Sequence, residues 1–98
     1  MQIQRKEINK QGIFYLNNDD NSRQLAELIY TMISPTRMVI EHTEVNKAVQ
    51  GKHLGSDLVK AAVEYARGRQ IKILPNCPFA KEIFRRHPEL DDVLVHSV

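Results

Sequence analysis

The stretch from 37 to 74 constrains this chain most. Residues 37–45, RMVIEHTEV, are rich in β-branched side chains and short enough for one strand. A polar loop carrying Gly51 and Gly55 follows. Leu54, Leu58, Ala61, Ala62, Tyr65 and Ala66 then repeat at helix spacing. Gly68 falls where a left-handed helix cap belongs. Ile71, Ile73 and Leu74 read as a short buried strand that Pro75 stops. A strand, a helix and a strand of this length fit a right-handed crossover, with parallel strands and the helix on one sheet face.

The rest of the chain must supply the sheet's remaining strands. Ile3 and Ile8 among polar residues predict an edge strand over 2–8, and Gly12 opens a second over 13–16. The polar cluster 17–21 is a turn. Residues 22–33 fit two elements. Leu25, Leu28, Ile29, Met32 and Ile33 have helix spacing, whereas Ala26, Leu28, Tyr30 and Met32 alternate as in a strand. Ser34-Pro35 is a turn. A second helix is expected over 78–86, with Pro78 in its first turn and Phe79, Ala80, Ile83 and Phe84 on its apolar side. Val93, Leu94 and Val95 predict a short last strand or a packing tail.

At 98 residues there is room for one domain, spanning 1–98, and none for a full dinucleotide-binding fold or a large barrel. The net charge of +2 is mild, and aromatic residues are not interleaved with basic ones, so nucleic acid is not the expected partner. Residues 46–98 hold nine Lys and Arg against six Asp and Glu, a modest anion preference. The single cysteine, Cys77, allows no internal disulfide. No apolar run is long enough to span a membrane, and the N-terminus lacks a secretory signal, so a cytoplasmic protein is expected. An exposed strand edge in so small a sheet allows a monomer or a homodimer.

The chemistry concentrates in the loop between strand and helix. A helix N-terminus presents unpaired N–H groups and partial positive charge. Gly51, Lys52 and Gly55, with Ser56 in the first turn and Lys47 nearby, suit a diphosphate held by main-chain donors. Turn and packing glycines are the bland alternative. His42 and Glu44 lie two apart and are expected on one strand face with Ile40, with Val39, Glu41, Thr43 and Val45 on the other. They are general-base candidates, or simply an exposed polar face. Cys77, at the start of the second helix, is a candidate nucleophile or a buried structural thiol. Arg85, Arg86 and His87 form a basic helix end.

The run V-N-K-A-V-Q-G-K-H-L-G-S, from Val45 to Ser56, resembles the acetyl-CoA motif of the GNAT acetyltransferase superfamily, a strand entering a (Q/R)-x-x-G-x-(G/A) loop and a helix. Gln50 takes the first position and Gly55 the last; Lys52 and Leu54 are typical fillers; His53 stands at the first glycine. N-C-P-F-A-K-E-I-F-R-R-H resembles the second half of the same site. Aligned on Ala80, Cys77 takes the family's Asn position and Phe84 its Tyr position, with Asn76 one residue earlier. The resemblance covers about residues 2–95 and is to the superfamily's minimal subgroup of roughly 100 residues.

That resemblance implies an α+β fold: a mixed, mostly antiparallel twisted sheet, the strand–loop–helix–strand acyl-CoA unit and a second C-terminal helix. It makes 24–33 a strand. It implies an N-acetyltransferase moving the acetyl group of acetyl-CoA to an amine of a small molecule or protein; the alternative is a non-catalytic CoA or acyl-CoA-binding module. Cofactor contacts are expected from Thr43, Val45, Gln50, Gly51, Lys52, His53, Leu54, Gly55, Ser56, Asn76, Cys77 and Ala80. Catalytic roles are expected for Glu44, His42 and Cys77, with no metal.

Overall fold

A computed structural model describes residues 2–51 and 53–95. Strands β1 (Ile3–Ile8), β2 (Gln11–Asn17), β3 (Gln24–Ser34) and β4 (Arg37–Val45) precede helix α1 (Leu54–Arg67). Strand β5 (Lys72–Pro75) and helix α2 (Pro78–Arg86) complete the main elements. The sheet runs β1-β2-β3-β4-β5, antiparallel except for the parallel pair β4 and β5. This is the mixed sheet that the resemblance implied.

Local chemistry explains most of the elements. Asn9 and Lys10 have φ of 53° and 71°, the left-handed pair that a two-residue hairpin turn requires. Residues 24–34 become β3 despite their helix spacing, because β2 and β4 flank them and pair with their backbone on both sides. Ala26, Leu28 and Tyr30 then point inward and are buried. Gly12 is required beneath Tyr30: a Cβ there would lie 2.2 Å from Tyr30 Cζ and 2.4 Å from its hydroxyl oxygen.

The core lies on one side of the sheet. Phe14, Leu16, Leu28, Tyr30, Met38 and Ile40 pack with Leu58, Val59, Ala62, Val63 and Ala66 of α1 and Ala80, Ile83 and Phe84 of α2. The α1 stripe is broader than its spacing suggested, since Val59 and Val63 are fully buried while Ala61 and Tyr65 are half-buried. The alternate sheet residues Ile13, Tyr15, Glu27, Ile29 and Thr31 are only half-buried, so the other face stays open.

Three expectations change. Gly68 is not left-handed: its φ is −70°, and its N–H still bonds to carbonyls of α1. The reversal falls on Gln70, at φ 57°. Strand β5 is buried on one side alone; Ile73 is inward, while Leu74 is 44% exposed. In β4, Ile40 pairs with Tyr30 but His42 pairs with Ile29, leaving Glu41 as an extra residue. This bulge shifts the alternation by one. Ile40 therefore shares its face with Thr43 and Val45, and not with His42 and Glu44.

The tail after α2 is a 3-10 turn, Pro88–Val93, and Leu94 bridges to Ile73. Arg67 clamps it with two bonds to Asp92, at 2.8 and 2.7 Å, and the Lys72 ammonium donates to the Asp92 carbonyl. This bears out the packing tail as far as Val95; residues 96–98 lie outside the described residues. No helix of the described residues is long and apolar enough to cross a membrane.

Candidate functional site at the opening between β4 and β5

The parallel pair is short. It runs from Arg37 opposite Lys72 to Ile40 opposite Pro75, and closes with Asn76 N–H donating to Ile40 O at 2.9 Å. Pro75 has no N–H, and the chain then turns into α2, while β4 continues to Val45 beside β3 alone. Backbone groups alternate sides along a strand. Asn46 N–H points toward β3, donating to Leu25 O at 2.8 Å, so Val45 and Thr43 turn their N–H and C=O toward the vacated edge. Gln50 Nε2 meets Val45 O there, at 3.4 Å.

This edge runs into a pocket of about 390 Å³ on the helix-covered face. Its walls are Thr43 and Val45, the loop residues Gln50, Gly51 and His53, the first turn of α1 (Leu54, Gly55, Ser56), and Phe79, Ile83 and Arg86 of α2. Eight of the twelve residues expected around a cofactor thus share one cavity. Lys52 lies outside the described residues. Asn76 is exposed, while Cys77 and Ala80 are buried at the start of α2. Sequence reading missed Phe79, Ile83 and Arg86 as pocket residues. Their i, i+4, i+7 spacing marks one helix face, but two of them read as core and the third as a helix end.

The loop's shape has local causes. Asn46 Oδ1 accepts from Ala48 N–H at 2.8 Å and starts a 3-10 turn, Lys47–Val49. Gly51 at φ 91° and His53 at φ 61° then swing the chain into α1. A left-handed conformation costs a side chain such as His53 about 1 kcal/mol. His53 is the cap residue of α1, yet its side chain makes no capping bond. The first-turn N–H groups are therefore left to a ligand or solvent. Gly55 permits the close approach of α1 to its neighbours: a Cβ would lie 2.7 Å from the Phe79 ring and 3.4 Å from Val45. Main-chain N–H donors at the start of a helix, among the described residues of this loop, fit a diphosphate.

Cys77 lies behind Thr43 at the start of α2. Its Sγ accepts from Ala80 N–H at 3.3 Å, capping α2, and lies 3.5 Å from Thr43 Oγ1. Cys77 is 6% exposed and ties β4 to α2. Phe84, also expected near the site, is buried in the core.

His42 and Glu44 lie on the opposite, open face. Their Nε2 and Oε2 are 3.4 Å apart, and Glu27 of β3 brings its carboxylate within 4.8 Å of both. Gln24 Nε2 holds Glu27 Oε1 at 2.6 Å. The base candidates therefore sit across the sheet from the pocket, next to the same opening.

Comparison with known proteins identifies the family and the fold. The family model described as GCN5-related N-acetyltransferase matches residues 13–93. Protein NATD1 of Danio rerio is 24% identical over 79 residues, 79% of this chain and 72% of that one. A GCN5-like protein of Staphylococcus aureus, solved in solution by NMR, is 32% identical with a TM-score of 0.72, covering 97% of this chain and 90% of that one. Tetrahymena GCN5 shares the fold at 11% identity and a TM-score of 0.67, covering 93% of this chain but 64% of its own. With 81 of 98 residues inside the family match, this chain belongs to the GCN5-related N-acetyltransferase family.

Proposed function

We propose that the protein transfers an acetyl group from acetyl-CoA to an amine. The observation that carries this reading is the free edge of β4, which leads from the opening at Ile40 into the pocket beneath α1. Acetyl-CoA, when bound, supplies a thioester carbonyl that a neutral amine can attack.

The chain's own residues do the rest. The N–H groups between Gly51 and Ser56 bind the diphosphate, with Lys52 adding charge. Thr43 and Val45 offer main-chain groups to the amide-bearing arm, as an edge strand does to a peptide. A free β4 N–H at the opening donates to the carbonyl oxygen as it gains charge. Cys77 holds Thr43 in place from the start of α2. The helix face is filled by α1 and α2, so the acceptor amine approaches from the open face. There Glu44, paired with His42, accepts its proton. As the amide C–N bond forms the thioester C–S bond would break, and the departing sulfur would take its proton from solvent, since Phe84 has none to give. The acceptor is a small-molecule or protein amine. Cys77 is free, which suits the reducing cytoplasm.

A second reading, a CoA-binding module without transfer, is favoured by Phe84: a buried hydrocarbon stands where the family pattern has a tyrosine. One experiment separates the readings. Acetyl-CoA is titrated while amide shifts are followed, and thiol release is then measured with a panel of amines. Shifts concentrated over 43–56 and 76–86, with amine-dependent thiol release that Glu44→Gln lowers about 100-fold or more, support the transferase. Binding without release supports the module. No shifts at millimolar ligand overturn both.

A further inference from the structure

We infer that Arg86 reads a phosphate at the nucleotide end of the donor, making the site select thioesters of intact coenzyme A over donors that lack the ribose phosphate. The inference rests on the donor site proposed above and adds what that site selects.

One wall of the pocket orders the groups that a donor would meet. Helix α2 presents Phe79, Ile83 and Arg86 to the cavity. Its N-terminus, at Cys77, lies against Thr43, the thioester end of the proposed site. The Phe79 ring lies against Gly55 in the first turn of α1, where the diphosphate cradle is. Arg86 is seven residues beyond Phe79, which places it about 10 Å further along the helix axis, away from the thioester end. A group bound there is past the diphosphate, as a phosphate on the ribose is.

The charge is also suited. Among the described lining residues, Arg86 alone carries a fixed positive charge. Its Nε–H donates to Glu82 Oε2 at 2.8 Å, which orients the guanidinium. Arg85 approaches the same carboxylate through Nε and Nη2, at 2.9 and 2.6 Å. These two arginines hold the Glu82 carboxyl far below its ordinary value, at about 2, so it stays ionised as an anchor. Only Nε of Arg86 is used in that contact. Its outer nitrogens remain as a planar fork, a geometry that matches two phosphate oxygens. Arg85 has the same charge one residue earlier but does not line the cavity.

The test compares acetyl-CoA with its 3′-dephospho form at one low ionic strength. Dissociation constants are measured for wild type, Arg86→Gln and Arg85→Gln. Wild type is expected to prefer acetyl-CoA by about ten-fold, the scale of one charge-assisted contact. Arg86→Gln should cut that ratio below about three-fold, with the dephospho form bound as in wild type, which also reports an intact fold. Arg85→Gln should keep the wild-type ratio. Equal binding of the two forms by wild type, or equal loss in both variants, overturns the role of Arg86 while leaving the donor site standing. If wild type binds neither form, the donor site itself falls, and this inference with it.

Discussion

Tyr30 shows how much one side chain can organise. Its ring fills the space that Gly12 vacates, and its hydroxyl accepts from Arg5 and donates to Glu7, both at 2.8 Å. Burial pushes the phenol up to about 12, assisted by the Glu7 carboxylate and opposed by Arg5. The folded value lies above the ordinary value of 10.0. The neutral phenol therefore favours the fold below about pH 10, and that contribution is lost as pH rises toward 12. Alkaline titration followed by phenolate absorbance should show a late step that disappears in Tyr30→Phe; an unchanged curve would refute it. His53 carries strain of another kind. Glycine takes its backbone angles freely, so His53→Gly should raise stability by up to about 1 kcal/mol, less the entropy that glycine adds to the unfolded chain. Denaturant midpoints test this. Acetyl-CoA affinity should persist, because the main-chain donors remain.

Among the elements, β4 is the most informative. Its extra residue, Glu41, sits where β4 parts from β5. A bulge bends its strand and adds local twist. Deleting Glu41 leaves Ile40, Thr43 and Val45 on the helix side and His42 and Glu44 on the open side, with the ladder now unbroken from Met38 to Val45. The deletion should keep the fold but straighten β4 toward β5, weakening acetyl-CoA binding by ten-fold or more, about 1.4 kcal/mol. Unchanged affinity would mean that Pro75 and the turn into α2 open the sheet by themselves. This element also marks the limit of sequence reading. Strand existence, α1, α2 and the Gly51–Ser56 loop were legible because β-branched runs, helix spacing and Pro78 leave local signatures. The bulge was not: a period-two reading assumes one residue for one, and only the partner strand's register exposes the extra residue. Residues 22–33 were ambiguous for a related reason, since flanking strands and not spacing decided them. In α2, Phe79 and Arg86 line the pocket because the first turn of α1 lies close by, and neither residue's own sequence context carries that.

For the molecule as a whole, what matters is which face each partner uses. The sheet is covered by helices on one side and open on the other, and the gap between β4 and β5 is the passage between the two. In the proposed function the donor occupies the covered side and the amine the open side, so both can be bound at once. Cys77 is poorly placed to carry the acetyl group between them: its sulfur is buried and already capping Ala80 N–H. Direct transfer in a ternary complex follows. Initial rates with both substrates varied should give intersecting reciprocal plots, and Cys77→Ser, which keeps a capping acceptor, should retain activity within about ten-fold. Parallel plots, together with an acetyl adduct on Cys77 when the amine is withheld, would instead make the thiol a carrier. The same geometry bears on acceptor size. Nothing among the described residues roofs the open face beside His42 and Glu44, so an amine on a folded protein could reach the passage as readily as a free one.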